Sequence, residues 1–261
     1  MKSRFAVIGM AFAAVGTIAL GASQASADGY NSPRGYAAPY NWSGIYGGVN
    51  AGWMDSTVDW AFNPAVPAAA NQQFSLSNDG NAIFGAHVGY QHQFGSIVVG
   101  VEGALIEQGQ KNWIGGANYG INPLFEAQAR YSNEIWTVGP RLGLAVERWM
   151  FFLSGGYATT TIDTRAVVRA TGLSAGSAFA GSSRNDGWYT GVGIEHALHH
   201  NIIVGLEYQH LVFDGERQCA GGNCVTGAAG FNNRDVDSTS DIVRLRLTYK
   251  FGARDELRPL K

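Results

Sequence analysis

Three glutamates and three arginines, Glu102, Glu195, Glu207, Arg141, Arg244 and Arg246, fall on one face of segments whose other residues on that face are mostly glycine or small and polar. Charges of both signs on a shared face can line a selective path for ions. They can equally pair with one another and fill an interior, because an unpaired buried charge costs several kcal/mol. Glu102 and Arg141 each stand five positions from the short-turn end of their segments, and Glu207 is level with Arg244 and Arg246. That spacing predicts an ion-paired filling.

Six histidines raise metal or haem ligation, which needs accessible imidazoles. His199 and His200 fall in a short turn, His92, His196 and His210 on the face opposite the charges, and His87 alone on the charged face. None falls in a long loop, so surface haem capture is the weaker reading and no cofactor is expected. Asp235, Asp237 and Asp241 alternate, but the glycine and the closing glutamate of a calcium loop are missing, which predicts a solvated surface loop. Cys219 and Cys224 enclose Ala-Gly-Gly-Asn, and a local loop disulfide is the expectation in an exported chain. Two thiols alone make a poor zinc site. There is no G-x-S-x-G elbow, and Ser154 and His87 read as facing different sides. The chain is not expected to be an enzyme.

The elements that position these residues are strands. In Asp241–Phe251, Val243, Leu245, Leu247, Tyr249 and Phe251 alternate with Ile242, Arg244, Arg246, Thr248 and Lys250. A helix would mix the basic residues into the apolar face, so period-two alternation means a strand. The same pattern recurs in Trp42–Met54, Asn81–His92, Ile97–Glu107, Asn133–Val146, Trp149–Thr161, Gly187–Leu198 and Asn201–Phe213. Eight strands near 11 residues alternate strictly between four long loops (55–79, 108–132, 162–185 and 214–240) and three tight turns. A tilted strand needs about 9–11 residues to cross the hydrocarbon of a bilayer. Trp42, Phe94, Trp149, Tyr249 and Phe251 gather at the turn end, and Trp53, Trp136, Tyr157, Trp188 and Phe213 at the loop end. Two aromatic girdles are what two lipid interfaces select. The expected fold is all-β: an eight-stranded antiparallel up-and-down transmembrane barrel with the charges in its lumen. A secreted β-sandwich is the soluble alternative.

The ends of the chain agree. Lys2 and Arg4 precede an uncharged apolar run from Phe5 to Leu20, and small residues end in Ala25-Ser26-Ala27. This is the layout of a signal peptide, residues 1–27, cleaved between Ala27 and Asp28. Residues 28–41, rich in Gly, Pro, Ala and Tyr, read as a flexible periplasmic lead-in, 42–251 as the barrel and 252–261 as a periplasmic tail. Losing Lys2 and Arg4 moves the formal charge from −2 to −4, an acidic balance that argues against a nucleic-acid partner.

WSGIYGGVNAGW, FGAHVGYQHQFG, VVGVEGAL, TVGPRLGLAVERWMFFLSGGYA, GWYTGVGIEHAL and GLEYQHL, in that order, resemble the small outer-membrane β-barrel family of Gram-negative bacteria. This is the opacity-protein-like group, with many alphaproteobacterial members labelled porin-like. The resemblance covers the strands and not the loops. It implies an outer-membrane barrel with its loops at the cell surface, surrounded by lipid and lipopolysaccharide. It also implies that Tyr249 and Phe251 resemble the terminal aromatic signal read by the barrel-assembly machinery, although here Gly252–Lys261 follow it. The expected function is envelope structure and surface display, with loops contacting host or other cell-surface partners. A narrow porin for small solutes is the rival, and surface haem or ligand binding a minor third.

Overall fold

Strands that bury one face in a lumen and turn the other to lipid must close, because an open edge would leave backbone groups unpaired in hydrocarbon. In the computed structural model, which describes residues 40–62, 73–110, 112–118, 125–131, 134–168, 171, 180–219 and 233–252, they do close. Among the described residues there are ten strands: β1 (Gly44–Phe62), β2 (Gln73–Phe94), β3 (Ile97–Gln108), β4 (Ile114–Asn118), β5 (Phe125–Tyr131), β6 (Ile135–Val146), β7 (Trp149–Val168), β8 (Gly181–Ala197), β9 (Ile202–Cys219) and β10 (Asn233–Lys250). Eight of them, β1, β2, β3, β6, β7, β8, β9 and β10, pair antiparallel in a closed ring in which β1 meets β10. The tight turns fall where the sequence puts them, at Gly95 (φ +61°), at Glu147 (φ +55°) and across residues 198–201.

The strands are longer than the alternation predicts. A 12-residue strand such as β6, at about 3.3 Å per residue and a tilt near 40°, rises roughly 30 Å and suffices for the bilayer. The 19, 22, 20 and 18 residues of β1, β2, β7 and β10 rise roughly 45–55 Å by the same geometry, so their upper ends stand clear of the hydrocarbon. Where β3 and β6 stop, the hairpin β4–β5 takes their place: β5 pairs with the upper part of β7 from Ile162 to Val168. Much of the four expected loops is therefore strand, and the wall continues upward.

The reason lies in the faces. At bilayer height the apolar residues point out: Val243, Leu245 (66% exposed), Leu247 and Tyr249 on β10, Ile45, Val49 and Trp53 on β1. Above it the assignment reverses. Met54 and Val58 on β1, Leu76 on β2, Ile162 on β7 and Val236 and Ile242 on β10 point in and are buried. Asp55, Asp59, Asp237 and Thr239 point out. Outside the barrel the solvent changes from lipid to water, and the apolar set changes side with it.

Among the described residues, bulges on β2 and β9 adjust the register at this height. On β2, Asp79 and Gly80 face the single residue Asp55, so Ile83 below and Leu76 above, of opposite parity, both point inward. Gly80 (φ +98°) lies against Trp53, and a Cβ there would come within 1.8 Å of the indole nitrogen. On β9, Asp214 and Gly215 face Asp237 in the same manner.

Two girdle assignments are corrected. Trp42 (0% exposed) and Phe213 are buried in the lumen, not turned to lipid. Parity already says so: Trp42 shares it with Tyr46, and Phe213 with Glu207 and Leu211. Phe94, Trp149, Tyr249, Phe251, Trp53, Trp136, Tyr157 and Trp188 all face outward.

Candidate functional site: the barrel lumen

The six charged residues meet at mid-height. Strand pairing sets Glu207 beside Arg244, and the Arg244 Nε and Nη2 donate to Glu207 Oε2 at 3.0 and 2.9 Å. Arg246, two residues on, reaches all three glutamates. It holds Glu102 through two bonds, Nη1–Oε1 2.7 Å and Nη2–Oε2 2.6 Å, lies 3.3 Å from Glu195 Oε1, and donates to Glu207 Oε2. From the opposite wall Arg141 places Nη2 2.7 Å from Glu195 and Nη1 3.3 Å from Glu102. All six are buried. Three positive and three negative charges cancel, which is the condition for keeping ions out of water.

Neutral groups complete this layer. Tyr46 donates its hydroxyl to Glu102 at 2.8 Å, Ser154 to Glu207 Oε1 at 3.3 Å, and Gln209 its amide to the same oxygen at 2.9 Å. The Arg141 guanidinium lies 3.8 Å from the Phe152 ring centre, a favourable cation–π distance. His87 shares a 2.8 Å bond with Thr248. Ser154 and His87 thus both face the lumen, against the sequence reading, as the shared parity of Ser154 and Phe152 indicates. They are not joined, because each has another partner.

Inward glycines leave room in the lumen, and large neighbours use that room. A Cβ at Gly89 would come within 2.4 Å of the Tyr46 hydroxyl, and one at Gly193 within 2.4 Å of the Phe152 ring. Tyr46 and Phe152 lie over these glycines, their pairing partners on the neighbouring strands, because the positions carry no side chain.

Apolar layers seal the charges on both sides. Above them Met54, Ile83, Ile106, Ile135, Leu211 and Phe213 belong to one buried cluster that continues into the raised wall. Tyr131, from β5, bonds there to Ser238 and, at 2.8 Å, to Ser240. Below, Trp42 joins Val98, Met150, Phe152 and Ile203. The short segment ahead of β1 works as a stopper. Trp42 N donates to Gln93 Oε1 (2.8 Å) and its carbonyl accepts from Gln91 (2.9 Å). Tyr40 stacks edge-on against Trp42 at 4.8 Å, donates to the His200 carbonyl at 2.9 Å and lies under the Lys250 ammonium, which also bonds to the Asn41 carbonyl. Within the expected lead-in, Tyr40 is buried against Trp42 while Asn41 is exposed.

The other candidate residues lie apart. Tyr249 and Phe251 form a T-shaped pair at 5.1 Å on the outer face. His92 packs on Phe94 and His196 on Trp149, both outside, and His210 Nδ1 lies 2.7 Å from Asp241. Asp235, Asp237 and Asp241 lie on β10, not in a loop, and among the described residues no three ligating side chains converge on a metal position. Cys219 ends β9. Cys224, Ala27, Asp28 and the tail from residue 253 lie outside the described residues.

Solved structures similar to this chain include OprG of Pseudomonas aeruginosa, at 12% identity over 82% of this chain and 98% of that one, TM-score 0.46. The outer membrane protease OmpT of Escherichia coli matches at 13% identity over 84% and 99%, TM-score 0.45. Ail, the attachment invasion locus protein of Yersinia pestis, matches at 9% over 79% and 99%, TM-score 0.38. No curated protein matches the sequence. The model of the outer membrane protein β-barrel domain matches residues 10–251, a range that includes every strand of the barrel. The chain belongs to the outer membrane protein β-barrel domain family.

Proposed function

We propose that this protein is a closed, non-catalytic outer-membrane barrel whose task is structural: it raises a β-wall and its connecting loops above the cell surface, where they contact external partners. The observation that carries this reading is the stacking of a neutral six-charge layer between two apolar seals. An eight-stranded barrel is just wide enough for side chains to fill, and here bulky ones occupy the lumen at each level. Tyr249 on the last strand and Phe251 just after it, both facing outward, serve as the assembly signal in this reading.

The test is electrical and topological. The full chain, folded in detergent and added to a planar bilayer, is expected to give no sustained single-step conductance. Large, stable openings would promote the narrow porin instead. Combining Trp42→Ala with Arg141→Ala removes parts of two layers, and leakage should appear in the pair before it appears in either alone. For display, Thr239→Cys, made with Cys219 and Cys224 changed to serine, should react with a membrane-impermeant maleimide on intact cells. Labelling only after the outer membrane is broken would reverse the assigned orientation.

A further inference from the structure

A polar side chain at the level of the charged layer has been left without a role. Asn50 on β1 is 4% exposed, and among the described residues neither its amide nitrogen nor its oxygen has a hydrogen-bond partner. Strand pairing fixes what surrounds it. Across the strands it faces Arg246 on β10 and Gly85 on β2, and its same-face neighbours along β1 are Gly48 and Gly52. All but one of the adjacent positions therefore carry no side chain, and Asn50 stands in a bay of glycines. Its oxygen leans over Gly85, 3.1 Å from where a Cβ would stand. Two more unpartnered atoms mark the corners of the bay. Arg244, opposite Gly52, spends Nε and Nη2 on Glu207 and keeps Nη1 without a partner. His87, opposite Gly48, uses Nε2 for Thr248 and keeps Nδ1. These two residues are 0% and 4% exposed.

Buried polar atoms in folded proteins are bonded, with few exceptions, to other protein groups or to ordered water. The character of this set decides what bonds to it. An anion would meet the Asn50 oxygen and the Glu102 and Glu207 carboxylates that Arg246 holds. A cation would meet Arg244 and Arg246 themselves. A neutral molecule that both donates and accepts suits every atom. The Asn50 nitrogen and Arg244 Nη1 donate, the Asn50 oxygen accepts, and His87 Nδ1 does either according to its tautomer. Water has that character, finds its usual two to four polar partners here, and is small enough to enter past the apolar layers.

We propose that the glycine bay centred on Asn50 is a binding site for internal water, which bridges the Asn50 amide to Arg244 and His87. The bound water is the neutral solvent of the six-charge layer: carboxylates take the inner guanidinium atoms, and water takes the atom of Arg244 that no carboxylate reaches. The bay lies on the seam between β1 and β10, so closing the barrel encloses it. Bound water carries no ions across the apolar layers. A dry bay would leave the proposed function standing.

The experiment uses the full folded chain in deuterated micelles, with ordinary water as the probe. In nuclear magnetic resonance spectra the Asn50 side-chain amide should show water cross-peaks of the sign that marks bound rather than bulk water. The buried Asn185 amide, which donates to the Val236 carbonyl at 2.9 Å, should show none. The Asn50 peak is assigned through Asn50→Ser, in which it disappears. Asn50→Leu, of similar volume, separates a wet bay from a dry one by the sign of its effect. In a dry bay the unpartnered amide weakens the fold, and removing it raises the urea midpoint. In a wet bay leucine displaces the water and strands Arg244 and His87, so the folding equilibrium constant should fall at least about tenfold. Asn50→Ser keeps a hydroxyl and leaves space for further water, and should retain most of the stability. Absence of the wild-type cross-peak, a leucine variant as stable as wild type or more so, or equal losses in both variants overturns the proposal. Heat-modifiable gel mobility reports whether each variant folds, and the wild-type spectrum decides the matter if the leucine variant does not.

Discussion

Arg246 holds Glu102 through both ends of its guanidinium, at 2.7 and 2.6 Å, although the two residues are 144 positions apart in the chain. The same arginine also contacts Glu195 and Glu207, so it is the hub of the lumen. Arg246→Ala should cost about 3–5 kcal/mol, since it strands a buried carboxylate. Urea unfolding from detergent or bilayer measures the loss. Adding Glu102→Gln should return part of it, and a double variant no better than the single would mean that the two are not coupled.

Leu245 and Thr239 share a strand and an outward face, but one meets lipid and the other water. Leu245→Arg should destabilise by about 2–4 kcal/mol if it lies near mid-bilayer. Thr239→Arg should stay within about 0.5 kcal/mol of wild type, as surface changes do. Similar costs at both positions would remove the boundary placed between them.

The two positions also show why only part of the architecture is legible in the sequence. Below the girdle, every second residue from Val243 to Tyr249 is apolar, and parity alone assigns lumen and lipid. It also brings Glu102, Arg141, Glu195, Glu207, Arg244 and Arg246 to one interior. Above the girdle, Ile242 and Val236 carry the apolar signal on the other face, with Ser238 and Ser240 between them. A reader following the outward set meets Asp241, Thr239 and Asp237 and sees a loop. The extra residue at Asp79–Gly80 then breaks the count on β2. The stopper formed by Tyr40 and Trp42 is hidden differently, because its evidence is a set of bonds to distant residues such as Gln93 and His200 rather than a period.

On the raised wall Asp237 stands opposite Asp59. Partial burial, and then the charges of Asp59, Asp235 and Asp214, push its carboxyl above the ordinary 3.8. A carboxyl whose folded pKa is raised weakens the fold when ionised, so stability should rise as pH falls through that raised value. The gain is complete once pH is below the unfolded value. The midpoint of the heat-modifiable mobility shift should therefore climb on mild acidification, and Asp237→Asn should flatten that part of the profile. An unchanged slope in the variant would exclude Asp237 as its source.

Export gives a prediction by mass. The secreted chain should begin at Asp28, after removal of residues 1–27, and intact-mass measurement of the membrane-purified protein checks it. A chain still beginning at Met1 would make the apolar run a retained anchor.

The seam between β1 and β10 runs from Tyr46 opposite Lys250 to Phe62 opposite Arg234. Two of the three lumen arginines, Arg244 and Arg246, arrive on that last strand. Until it docks, Glu102, Glu195 and Glu207 have Arg141 alone among the lumen arginines to answer them. Closing the seam and neutralising the interior therefore depend on the same strand. A ring left open at this seam would hold three carboxylates against one guanidinium, an excess of negative charge that water must solvate.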